Sequence, residues 1–112
     1  MMAETTTAAC TVVEGAEGLD RIHAFWLDID AGKGYVTIIC YGAAWTAYFG
    51  AMSGRGIKEF FADVSVEYMT NALLRSPYLK ESKSHYRYLF KIVAAVREAV
   101  NAERGFVVAA HE

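Results

Sequence analysis

The chain has one proline, Pro77, and two cysteines, Cys10 and Cys40. With a single proline there is no proline-rich linker, and no repeat or low-complexity tract divides the sequence. Two distant cysteines without a CxxC pair exclude a disulfide scaffold, and free thiols are the expectation in a reducing compartment. His23, His85 and His111 are scattered without an HxxxH pair, so no metal site is expected. No GxxxxGK[ST] loop, GxGxxG turn or GxSxG elbow occurs either. The expectation is a protein that is not an enzyme and carries no cofactor.

Charge is also scarce. Charged residues make up 21% of the 112 positions and hydrophobic ones 54%, enough apolar surface for one domain-sized core over residues 1–112. The uncharged run from Gly34 up to Arg55 is long, but its tyrosines, tryptophan, threonines and four glycines make it no membrane span. The first residues lack the basic and apolar regions of a signal peptide, so a cytoplasmic setting is expected, with residues 1–8 frayed. The charges present are polarised. Residues 1–30 hold six acids and one base, and residues 31–112 hold ten bases and seven acids.

Periodicity predicts the elements. Ala9–Glu14 has the β-branched content of a short strand, and Gly15 and Gly18 break it. Ile22, Ala24 and Trp26 alternate with His23, Phe25 and Leu27, predicting a strand over Arg21–Ile29. A Gly-containing turn follows, and Tyr35–Tyr41 is apolar on both faces, as in a strand covered on both sides or central in its sheet. Ala44–Met52 fits two periods. Trp45, Ala47 and Phe49 make one strand face, while Trp45, Tyr48, Phe49 and Met52 make a helical stripe. Aromatic and Thr content, with glycines at both ends, favours a further strand whose Trp45 and Phe49 face the helices.

From Gly56 the period becomes helical. Ile57, Phe60, Phe61 and Val64 predict a short helix, and Asp63 or Ser65 caps a second one with Met69, Leu73 and Leu74 inward. Pro77 stops it, Ser82 or Ser84 caps a long last helix through Leu89, Val93, Val96 and Val100, and Gly105 ends that helix. Phe106–Ala110 then adds an edge strand or docks on the core. The fold class is α+β: an antiparallel sheet of three to four strands followed by two to three helices packed on one face.

Three polar features invite function. Asp28 and Asp30 beside Gly32 and Gly34 suggest a calcium loop, but the sixth and twelfth positions counted from Asp28 are Lys33 and Ile39, so a hairpin turn is the reading. Gly54-Arg55-Gly56 precedes a helix as a phosphate cradle would, and turn chemistry again explains it better. The stretch Arg75–Lys91 interleaves Arg75, Lys80, Lys83, Arg87 and Lys91 with Tyr78, Tyr86 and Tyr88, the pattern of a nucleic-acid contact or of a protein interface. A chain pI near 5.9 disfavours a dedicated nucleic-acid binder.

The stretch Tyr41-Gly42-Ala43-Ala44-Trp45-Thr46-Ala47-Tyr48-Phe49-Gly50-Ala51-Met52, preceded by Asp30-Ala31-Gly32-Lys33-Gly34 and followed by Glu59-Phe60-Phe61 and Tyr68, resembles a family of small proteins of tailed bacteriophages and prophages of enteric bacteria. The signature of that family reads YGxAWTAYWGAM; Phe49 stands in place of its second Trp and Ser53 in place of a Gly. The likeness covers roughly residues 20–75. It implies a phage origin and the bacterial cytoplasm, and supplies no catalytic residues. The function expected is binding and modulation of a host protein, as in inhibition of a defence system, with a nucleic-acid accessory role as the alternative and a homodimer compatible with either. The partner-binding candidates are Asp28, Asp30, Arg75, Tyr78, Lys80, Lys83 and Arg87.

Overall fold

The computed structural model describes residues 2–5, 8–75 and 83–111, and of these the side chains of all but 83, 84 and 104–111. Four strands, β1 (Ala9–Val13), β2 (Ile22–Asp30), β3 (Lys33–Cys40) and β4 (Ala43–Phe49), form one antiparallel sheet in the order β1-β2-β3-β4. Three helices follow, α1 (Ile57–Asp63), α2 (Val66–Leu74) and α3 (Lys83–His111). Strands then helices on one side of the sheet is the α+β architecture that the pattern predicts.

The alternation in β2 decides which side faces the helices. Ile22, Ala24 and Trp26 are buried, and their cross-strand partners Cys40, Ile38 and Val36 on β3 are buried with them. Trp45 on β4 is paired with Ile38 and completes that layer. Against it lie Phe61 of α1, Met69 and Leu73 of α2, and Leu89, Ile92, Val93 and Val96 of α3, in a single apolar cluster. The Trp26 and Phe61 rings meet edge to face at 5.1 Å, and the Trp26 indole N–H donates to the Thr11 hydroxyl at 2.9 Å. Both polar tips of the buried aromatics are thus satisfied, since Trp45 donates to His85 Nε2 at 3.1 Å.

The two-sided apolarity of Tyr35–Tyr41 comes from a central position. β3 lies between β2 and β4, and only one of its faces is covered. Ala44–Met52 is a strand over most of its length, with Trp45 buried and Phe49 half-buried towards the helices. Tyr41 departs from the expectation: it leaves β3 and forms, with Gly42, the two-residue turn into β4. Both turn residues have positive φ, +53° and +77°, the twist that a tight hairpin loop needs and that a tyrosine signals poorly.

Ser65 caps α2, its hydroxyl accepting from the Tyr68 N–H, while Asp63 instead pairs with Arg55. α3 begins at Lys83, so a cap at Ser84 is not the start; Ser82, with Pro77 and the loop after it, lies outside the described residues. α3 also runs through Gly105 to His111, which corrects both the helix end and the terminal strand. A glycine within a helix costs only about 1 kcal/mol, too little alone to stop one.

Gly32 sits where two turns approach closely through their backbones. It accepts from the Met52 N–H at 3.1 Å, and a Cβ placed there would lie 2.9 Å from the Gly54 nitrogen at a φ of +72°. Gly32→Ala is therefore expected to destabilise the protein by about 1–3 kcal/mol. Gly15→Ala, at a similar φ but with no atom within 4 Å, should cost less. Urea midpoints of the two variants measure the difference.

Candidate functional site: an uncharged sheet face and an open edge

The second face of an antiparallel sheet covered on one side is ordinarily polar. Here it is not. Register places three cross-strand rows on it: Val12, His23, Ile39 and Ala44; Cys10, Phe25, Thr37 and Thr46; Leu27, Tyr35 and Tyr48. No Asp, Glu, Lys or Arg occurs among these positions. Val12, Tyr35 and Tyr48 are 48%, 40% and 50% exposed. The side chains nevertheless hold one another in place. Tyr35 and Tyr48 rings lie 4.9 Å apart, His23 stacks with Phe25, and the Thr37 and Thr46 hydroxyls share a 3.0 Å hydrogen bond. Charge returns only at the two ends, as the Glu14–Arg21 ion pair and as Asp30 opposite Lys33. An uncharged aromatic centre with a charged rim is the anatomy of a protein interface.

A second surface adjoins the first at Tyr48. Between β4 and α2 runs an open groove of about 450 Å³, lined by Ala47, Tyr48, Phe49, Gly50, Ala51, Phe60, Tyr68, Ala72 and Arg75. Phe49 contacts Phe60 at 5.0 Å between centroids and Tyr68 at 6.3 Å, so its wall is a cluster of rings. Arg75, the C-cap residue of α2, is the one charged side chain lining it among the described residues.

The structure separates the candidates that the sequence nominates. Asp28 turns to the helices: its Oδ1 accepts the Ile57 N–H at 2.7 Å and caps α1, whose own N-cap, Gly56, has no side chain to do so. That carboxylate also occupies the helix start after Gly54-Arg55-Gly56, where a phosphate would have to bind. Asp30 accepts the Ala31 N–H at 2.8 Å at the hairpin tip. Arg75 lines the groove, and Arg87 is exposed on α3, away from the sheet face. Lys83 is the first residue of α3, and Tyr78 and Lys80 lie outside the described residues.

Cys10 and Cys40 are both free thiols, one on the open face and one in the core. The Tyr88 hydroxyl donates to Cys40 Sγ at 3.6 Å; that bond, then burial, pushes its pKa up to about 12, so it stays protonated at neutral pH. Among the described residues no three His, Cys, Asp or Glu side chains gather as a metal site, and no helix is long and apolar enough to cross a membrane.

Sequence comparison adds the lineage. The sequence model of a phage family, Phage_phiTE_072, matches residues 1–83, about three-quarters of the chain. The protein belongs to this phage family. The matched part of the phage protein holds the whole sheet with α1 and α2, and hence both surfaces described above. No curated protein and no solved structure matches the chain.

Sequence reasoning missed the open face as a surface. Its signal was present in Tyr35, Thr37 and Ile39, which alternate with the buried Val36, Ile38 and Cys40. The groove had no local signal, because α2 is brought to β4 only by tertiary packing.

Proposed function

We propose that this phage protein is a non-enzymatic interaction protein that binds and modulates a host protein, with the uncharged sheet face as its contact surface. The observation that carries the reading is the aromatic centre formed by Phe25, Tyr35 and Tyr48 without a charge among its three rows. Interface centres are depleted in charge and enriched in aromatic residues, and Tyr is prominent among their strongest contacts. With no Asp, Glu, Lys or Arg in its three rows, the chemistry of the face is packing and stacking. Inhibition of a bacterial defence component is the form of modulation we favour, and it rests on the phage family alone.

Nucleic-acid binding is the alternative. A single-strand binder combines stacking rings with cations that meet phosphates. In this fold the rings of the open face have no cation among them, while Arg87 and Lys91 sit on α3 in the helical layer across the sheet. On α3 itself Arg87 and Lys91 flank the Tyr86 and Phe90 rings, and it is the chain pI near 5.9 that favours a protein partner.

The test is capture from host lysate followed by binding to the purified partner. Phe25→Glu is expected to weaken binding about tenfold or more, while its thermal melt stays close to that of the parent. Arg87→Glu should bind as the parent does. Equal binding by Phe25→Glu overturns the sheet face as the contact, and DNA or RNA affinity that falls steeply with salt decides for the alternative.

A further inference from the structure

We infer that the outer edge of β4, together with the groove beside α2, takes an extended peptide segment of a partner protein as a fifth strand, with a carboxylate of that segment held by Arg75. This deepens the proposed function, on which it rests, by giving the partner a second and chemically specific contact.

Three observations combine. First, among the described residues β4 is an edge strand, with β3 as its one neighbour in the sheet. The two-residue Tyr41–Gly42 turn makes Cys40 and Ala43 a hydrogen-bonded pair, and alternation then turns the N–H and C=O groups of Ala44, Thr46 and Tyr48 outward. Natural edges are commonly blunted by proline, lysine, an inward charge or a bulge, and Ala43–Phe49 has no proline or charge and pairs with β3 in unbroken register.

Second, the edge is accompanied by a wall that can read side chains. A strand added to β4 points alternate residues to the helical side, where Phe49, Phe60 and Tyr68 offer an apolar ring cluster. The others continue the uncharged open face beyond Thr46 and Tyr48.

Third, charge selects the occupant. Arg75 is exposed at the end of α2, and no hydrogen bond or ion pair reaches its guanidinium among the described residues. Arg55, the nearby cation over the Phe60 ring, is instead committed to Asp63 at 3.1 Å. A second copy of the chain would offer this edge another β4, which has no acid to meet Arg75. A segment with an aromatic or branched aliphatic residue and, two positions away, a carboxylate satisfies the ring cluster and the guanidinium together. A side-chain carboxylate and a chain-terminal one present the same chemistry.

The test is selection from a library of seven-residue peptides on the full-length protein, with free and with amidated C-termini. Enrichment of Asp or Glu two residues from an apolar position is expected in both pools if a side chain supplies the carboxylate; if the chain end does, binders come from the free-C-terminus pool alone, with the apolar residue two positions from the end. A resynthesised selected peptide should bind about tenfold more weakly to Arg75→Glu. It should lose binding when alternate backbone nitrogens are methylated, and when Thr46→Pro removes an outward donor from the edge. Because Thr46→Pro can disturb the hairpin, the methylated peptides probe the same hydrogen bonds on the unaltered protein. Selection that favours neither an acidic side chain nor a free C-terminus overturns the proposal. So does indifference to backbone methylation, or a dimer in sedimentation that Thr46→Pro dissociates. Peptide binding should survive Phe25→Glu, so failure at the edge and failure at the sheet face are read separately.

Discussion

Replacing Trp26 by alanine is expected to cost about 3–5 kcal/mol, the largest effect of any single truncation proposed for this protein. The indole is 3% exposed at the centre of the sheet, meets Phe61 edge to face, and donates to a Thr11 hydroxyl that is itself buried. Truncation removes the ring from its packing and leaves that hydroxyl without the indole donor, so cavity and polar penalties add. A domain of this size has about 5–15 kcal/mol in total, so the variant retains a folded state with little in reserve. Trp26→Phe keeps a six-membered ring, loses the pyrrole part of the indole with its N–H donor, and should cost less than Trp26→Ala. Urea unfolding followed by circular dichroism measures both. A cost under about 1 kcal/mol for Trp26→Ala would place the core elsewhere.

Asp28→Ala should destabilise by about 1–2 kcal/mol, while Asp30→Ala, two residues away, should be close to neutral. Both changes remove one negative charge from the same hairpin. They differ in what the carboxylate does: Asp28 caps the first turn of α1 across the fold, and Asp30 makes an exposed contact with the next residue. The corner around Asp28 is also tightly fitted. A Cβ on Gly34 would lie 2.8 Å from the Leu27 carbonyl oxygen and 3.2 Å from the Asp28 carboxylate, and one on Gly56 would lie 3.3 Å from that carboxylate. Asp28→Asn, which keeps an acceptor of similar shape, should recover part of the loss. Equal melts for Asp28→Ala and Asp30→Ala would overturn the capping role.

These two residues show what a sequence can and cannot disclose. The placement of Trp26 was legible, because alternation with Ile22 and Ala24 is a local property of nine residues. The role of Asp28 was not, since its partner is 29 positions away and a carboxylate near glycines reads equally as a turn, a metal ligand or a contact. The β3–β4 turn fell between the two. Gly42 announces a break, but Tyr41 at a φ of +53° has a conformation that aromatic residues seldom adopt, so the apolar pattern of the strand reads on through it. Arg75 was singled out for its neighbours in the chain, whereas what surrounds it in space is an aromatic wall contributed by β4, α1 and α2.

The simple strand order has a consequence for how the molecule is made. Each strand pairs only with the one before and after it, so the sheet can zip hairpin by hairpin as the chain leaves the ribosome, with contacts close in sequence that favour rapid formation. The helices come last, and until α3 is synthesised the side carrying Trp26, Ile38 and Trp45 lacks its cover of Leu89, Ile92, Val93 and Val96. For that interval the nascent sheet is apolar on both sides and sticky at an unguarded rim, the condition in which growing chains aggregate. Synthesis of the last third of the chain is thus the step that commits the Trp26 side of the sheet to the interior and leaves the Tyr35 side facing solvent.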